Sequence, residues 1–133
     1  ILDVEDPANP TLVIERRNAH SLHSFTRSRL PPPLTDREVV TASIWQKESD
    51  GTFFAVITAC QHDDYPITSK YVRIDFIRAL KLTQSGDGKT TNVEIVGSVN
   101  LNGVFPAWLN DIFTVPQLSN TAINMVNFFA GVR

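Results

Sequence analysis

His62, Asp63 and Asp64 stand side by side in a polar stretch, a donor set that neighbouring loop residues can offer to a cation. No second cluster at ligand spacing accompanies them, so no metal centre is expected. His20 and His23 lie three apart, and on a strand their side chains would point to opposite faces. Cys60 is the sole cysteine. That excludes a disulfide within the chain and a cysteine-rich zinc site. It closes the apolar run from Phe54 and reads as a small buried hydrophobe, with no positioned base to activate it. The G-x-S-x-G nucleophile elbow is absent. Gly86-Asp87-Gly88-Lys89 lacks the following helix of a phosphate-binding loop and reads as a hairpin turn. Asp75 and His62 are weak acid and base candidates. No catalytic residue and no cofactor is expected.

Arg73 lies between Val72 and Ile74, with Asp75 two residues on and on the same strand face. Arginine is rarely buried unless paired. Two readings stay open: a solvent-facing Arg73 beside Asp75, or an internal polar anchor.

The 133 residues make one domain, and 42% hydrophobic content supports a buried core. The net charge of −2 gives no basic footprint, which excludes non-specific nucleic-acid binding and a polybasic membrane anchor. No apolar run approaches the roughly 20 residues needed to cross a bilayer. No charged-then-apolar leader opens the chain. The chain begins without Met, so a piece of a longer parent or a processed product is expected.

Strand patterns recur along the chain. Thr11 to Glu15, His20 to Leu30, Glu38 to Lys47, Phe53 to Cys60, Tyr71 to Leu82 and Thr90 to Leu101 all read as strands. Asp50-Gly51 and Gly86-Asp87-Gly88 mark hairpin turns. Pro31-Pro32-Pro33 reads as a rigid extended connector. Successive hairpins make an antiparallel meander. On the Glu38 strand, alternation puts Val39, Thr41, Ser43 and Trp45 on one face and Val40, Ala42, Ile44 and Gln46 on the other. From Pro106 the period becomes helical: Trp108, Leu109, Ile112, Phe113 and Val115, then Leu118, Ala122, Met125, Val126 and Phe129. Pro116 should divide this segment into a short helix, a kink and a second helix ending at Gly131. The expected fold is α+β: a curved antiparallel sheet with a long kinked C-terminal helix packed over its concave face. Trp108, Ile112, Leu118, Ala122, Met125 and Phe129 should face the sheet.

The stretch Arg29-Leu30-Pro31-Pro32-Pro33-Leu34-Thr35-Asp36-Arg37-Glu38-Val39-Val40 runs into the Trp45 strand. Three segments follow in order: His62-Asp63-Asp64-Tyr65-Pro66, Lys70-Tyr71-Val72-Arg73-Ile74, and Val99 to Leu109. This pattern resembles the START family, the lipid-transfer domains related to steroidogenic acute regulatory protein, over about residues 21–133. The resemblance implies a helix-grip domain that is not an enzyme and holds one lipid between sheet and last helix. It implies a cavity lined by Thr41, Ser43, Trp45, Arg73, Asp75, Trp108, Ile112, Met125 and Phe129. It also implies a gate in the 61–70 loop, with Tyr65, Pro66 and Ile67 at its tip, moving away from Trp108. The implied ligand is a sterol, phospholipid or sphingolipid. The implied setting is cytoplasmic with transient membrane contact.

The family often places a buried arginine where this chain has Ser43. A hydroxyl there implies a neutral or zwitterionic lipid, with Arg73 as the substitute cation if one is needed. The family's domain also has more strands at its N-terminal side. Ile1 to Arg17, a partner chain or a longer parent would have to complete that wall. Two alternatives stay open: a regulatory or assembly module of a larger protein, and a cyclase or hydrolase on the same scaffold.

Overall fold

The computed structural model describes residues 10–104 and 106–131, without the side chains of residues 110–118, 121, 128 and 129. Among the described residues, seven strands and one helix follow in chain order. They are β1 (Thr11–Asn18), β2 (Ser21–Ser28), β3 (Arg37–Lys47), β4 (Phe53–Ala59), β5 (Val72–Arg73), β6 (Asp75–Gln84), β7 (Thr91–Asn100) and α1 (Ala107–Gly131). The strands form one sheet in the order β1-β2-β3-β4-β6-β7, with β5 beside β3. Apart from β5, chain neighbours therefore pair antiparallel, as the hairpin pattern predicts. The turns are built by the residues that signalled them. Gly51 and Gly88 take φ of 88° and 66°, which a side chain would disfavour. Asp50 Oδ1 accepts the Thr52 amide at 2.8 Å, and Asp87 Oδ1 the Lys89 amide at 2.9 Å.

The segment Tyr71 to Leu82, expected as one strand, is two. β4 stops at Ala59, which leaves the start of β3 open on that side. β5 fills the gap in parallel, with the Val72 amide on Asp36 O at 3.1 Å and the Ile74 amide on Glu38 O at 3.0 Å. The chain then turns at Ile74 to enter β6. A second difference concerns Pro116: α1 runs through it as one element. A proline deletes one backbone bond of the helical ladder, and the turns on either side continue.

Register sorts the side chains onto two faces. Leu22, Ser43, Ile57, Arg78 and Gly97 form one continuous line across β2, β3, β4, β6 and β7. Theirs is called here the Ser43 face. Ile44, Val56, Ala79 and Val96 form the neighbouring line on the opposite, Glu38 face. Burial separates the two. Phe53, Ala55, Ile57, Phe76 and Arg78 on the Ser43 face are half-buried, while Phe54, Val56, Asp75 and Ile77 between them are exposed. The alternation means that the Ser43 face is turned inward along β4 and β6. The Glu38 face is covered at its β1–β3 end, where Val40 is fully buried, and carries exposed Ile44, Phe54, Val56, Ile77 and Val96 beyond it.

β1 occupies the edge that the sequence left uncertain. It pairs with β2 from Thr11 to Asn18 with two irregularities in register. Part of the segment expected to substitute there is thus a strand of the sheet; residues 1–9 lie outside the described residues.

Candidate functional site

On the Ser43 face the first three strands carry hydroxyls. Ser24 Oγ and Thr41 Oγ1 lie 2.8 Å apart across β2 and β3, and both residues are buried. Thr11 and Thr26 make the same kind of pair at 2.9 Å. Ser43 follows Thr41 on the inward side, and Trp45 after it meets His20 edge-on at 6.4 Å. Towards β6 the face becomes apolar, through Phe53, Ala55, Ile57, Leu80 and Leu82. Thr41, Ser43 and Trp45 therefore share one surface, as the strand alternation predicts.

Arg73 and Asp75 do not join them. β5 pairs Arg73 with Glu38, and β6 pairs Asp75 with Asn100, so both sit on the opposite face. The two residues expected beside Thr41, Ser43 and Trp45 thus lie across the sheet from them. Arg73 does not pair with Asp75 either: its Nη2 meets Glu38 Oε1 at 3.0 Å and donates to the Tyr65 carbonyl at 2.9 Å. Asp75 instead accepts from Asn102 Nδ2 at 3.1 Å. A carboxylate on β3 outcompetes the one two residues away because β5 lies directly against β3, whereas Asp75 begins the next strand.

The 61–70 loop lies against the Glu38 face. Tyr65 stacks on Phe25 with centroids 4.8 Å apart, and the Arg73 guanidinium holds the Tyr65 and Pro66 carbonyls. Ile67 is the exposed tip. Trp108, expected to face the sheet, is 63% exposed. Ala122 is exposed and Met125 half-buried; Ile112, Leu118 and Phe129 fall outside the described side chains.

Two constellations escaped the sequence. Arg37, 2% exposed, reaches from the start of β3 to the segment just before α1. It donates to Leu101 O at 3.1 Å, Asn102 O at 3.0 Å and Val104 O at 3.4 Å, and to Thr35 O. Asn102 (φ 48°) and Gly103 (φ 67°) turn the chain so that these carbonyls converge on one guanidinium. Leu109, in the first turn of α1, is buried just beyond the clamp. Charge-assisted donors in a fixed fork suit this convergence better than a lysine could.

The second is a cluster of Glu15, His23 and His62, whose ligand atoms lie within 4.8 Å of one another. The Glu15 Oε2 atom is 3.0 Å from His23 Nδ1 and 3.6 Å from His62 Nε2. A pair on facing strands and a residue from the loop meet here, which no linear spacing announces. The hydrogen bond to His23 and the nearby Arg17 hold the Glu15 carboxyl below the usual glutamate range. A carboxyl with a lowered folded-state value stabilises the fold at neutral pH and loses that contribution as pH falls through its folded value. The stability gap between the wild type and Glu15→Gln should therefore be open at neutral pH and close on acidification as the carboxyl takes up its proton. Thermal unfolding of both proteins across that range measures it.

Cys60 is half-buried, and burial raises its thiol above the ordinary value, which keeps it protonated and unreactive.

A sheet in meander order with one inward face is followed by a C-terminal helix. The START domain family model matches residues 11–130, and the chain belongs to that family. Solved structures share the fold. Human STARD10 aligns with a TM-score of 0.75 at 20% identity over 90% of this chain and 49% of that one. Human StAR-related lipid transfer protein 5 aligns with 0.73 at 16% identity over 92% and 60%. The lipid transfer and protein localization domain of human StarD13 aligns with 0.64 at 17% identity over 77% and 53%. The chain thus spans about half to three fifths of the structures it matches. No curated protein sequence matches it. Among the described residues, no helix is long and apolar enough to cross a membrane.

Proposed function

We propose that this chain binds a single lipid on the Ser43 face and carries no catalysis of its own, with α1 laid across that face as a lid. The inward turn of Phe53, Ile57, Phe76, Leu80 and Leu82, side chains that water would otherwise wet, carries the reading. Membership of the START family supports it. Thr41, Ser43 and Trp45 line the β3 side, and Met125 belongs to the lid. The Arg37 clamp starts the helix at the end of that face. Loading and release require α1 to lift from the sheet at a membrane surface, so the clamp is the pivot and the contact with the bilayer is transient.

The test is native mass spectrometry of the purified chain, followed by uptake of fluorescent sterol and phospholipid and their passage between vesicles. One lipid per chain, with transfer above the spontaneous rate, is expected. A delipidated, folded chain that takes up no lipid from a broad panel would overturn the reading.

A further inference from the structure

Arg78 is a cation on the inward face of a sheet whose carboxylates point the other way. The strand carboxylates whose pairing is fixed, Glu15, Glu38, Asp75 and Glu94, lie on the Glu38 face. Arg78 shares its face with Ile57 on one side and Gly97 on the other, in the same cross-strand line as Ser43. Two strand spacings, about 10 Å, separate it from the Ser43 hydroxyl. Its guanidinium carbon stands 5.1 Å from the Phe76 ring, and among the described residues no carboxylate pairs with it. The side chain is half-buried, and burial depresses its basicity. Arginine keeps its charge even so. A guanidinium withdrawn from water without a counter-ion is costly, and a partner anion removes that cost.

The neighbouring position carries no side chain. A Cβ at Gly97 would stand 2.8 Å from the Ile77 carbonyl oxygen and 3.5 Å from Arg78 Cβ, so no side chain fills the β7 side of the arginine. Apolar Phe76, Leu80, Val99 and Ile95 flank this gap on the same face. A charged, fork-shaped donor set in an apolar lane is the recognition chemistry of an amphiphile with an anionic head.

We propose that Arg78 anchors the anionic oxygens, carboxylate or phosphate, of a lipid whose chain lies along the apolar part of the Ser43 face. The proposal rests on the lipid-binding reading and sharpens it. The hydroxyl at Ser43 suggests a neutral or zwitterionic ligand; the charge missing there is present two strands away. An internal competitor exists in sequence, since α1 carries one carboxylate, Asp111.

The test measures binding of cis-parinaric acid and its methyl ester at a pH where the acid is ionised. The proteins are the wild type, Arg78→Gln, Arg78→Lys and Asp111→Asn. Oleoyl lysophosphatidic acid and oleic acid serve as competitors, to separate a phosphate head from a carboxylate. The wild type should prefer acid to ester by about tenfold, the worth of one charge-assisted hydrogen-bonded contact. Arg78→Gln should abolish that ratio and Arg78→Lys should retain part of it. Whichever competitor displaces the acid more strongly names the head group. A ratio unchanged in Arg78→Gln overturns the proposal. So does a wild type without preference that gains one in Asp111→Asn, because Arg78 is then neutralised from within. If ester and acid bind equally well in all four proteins, lipid binding stands and the anchor falls. If neither binds to any of them, the lipid-binding reading falls and takes the anchor with it.

Discussion

Arg37→Ala is expected to destabilise the fold by about 3 kcal/mol and to free the segment before the helix. The magnitude follows from the number and kind of bonds lost. A guanidinium that is 2% exposed satisfies carbonyls at Thr35, Leu101, Asn102 and Val104. A hydrogen bond to a charged group contributes roughly 1.5–3 kcal/mol, and acceptors left dry cost more. Water reaches some of these carbonyls once the side chain is gone, which keeps the total below the simple sum. Arg37→Lys retains the charge but not the fork, and should recover less than half of the loss. Urea unfolding gives the stability difference. Hydrogen exchange of the amides around Leu101 to Leu109 localises it. An Arg37→Ala protein with wild-type stability and protection would show that the clamp is incidental.

Glu38→Ala should cost a similar amount, about 3 kcal/mol, by a different route. The Glu38 side chain is 5% exposed and holds two cations, Arg73 at 3.0 Å and Arg27 at 3.2 Å. Both arginines already bury an Nε without a partner. Arg27 lies over the Tyr71 ring at 3.8 Å. Removing the carboxylate leaves two neighbouring cations, one of them mostly buried, with no anion between them. Breaking a buried pair from one side typically costs about 3–5 kcal/mol, whereas replacing both partners by apolar residues is often neutral. Arg27 is the more exposed and can turn to water, which puts this case at the low end. Glu38→Leu combined with Arg73→Leu should therefore be more stable than Glu38→Ala alone. A double-mutant cycle by chemical denaturation tests this. Strict additivity of the two single changes would mean that the pair is not coupled.

The sequence showed the elements more fully than their neighbours. Alternation on β3 placed Thr41, Ser43 and Trp45 together because a period of two is a property of one strand. Asp50-Gly51 and Gly86 to Lys89 located two turns because a backbone with positive φ selects its residues. The partner of Arg73 was not legible, because it depends on where β4 ends and on which strand then takes its place. Arg78 drew no attention because its significance lies in a line that crosses five strands, and each register adds its own uncertainty. The Glu15, His23 and His62 cluster combines a strand irregularity between Val13 and Glu15 with a loop crossing the face. The helix onset after Pro106 was legible from its change of period, whereas Arg37, read only as part of a motif, proved to be the residue that ties it to the sheet.

The meander order has a kinetic consequence. Each antiparallel ladder joins strands that follow one another in the chain, apart from the short β5 between β4 and β6. Such hairpins close small loops, so the sheet can zip from one to the next with little chain entropy lost per step. The Arg37 clamp is different, because it spans 64 to 67 residues. A bond between such distant parts of the chain belongs late in assembly, after both ends of the sheet exist. Loss of a late bond leaves the rate of folding nearly untouched and appears as faster unfolding. The arginine that starts the helix would then act as a latch on the native state, governing how long a folded molecule survives more than how fast it forms.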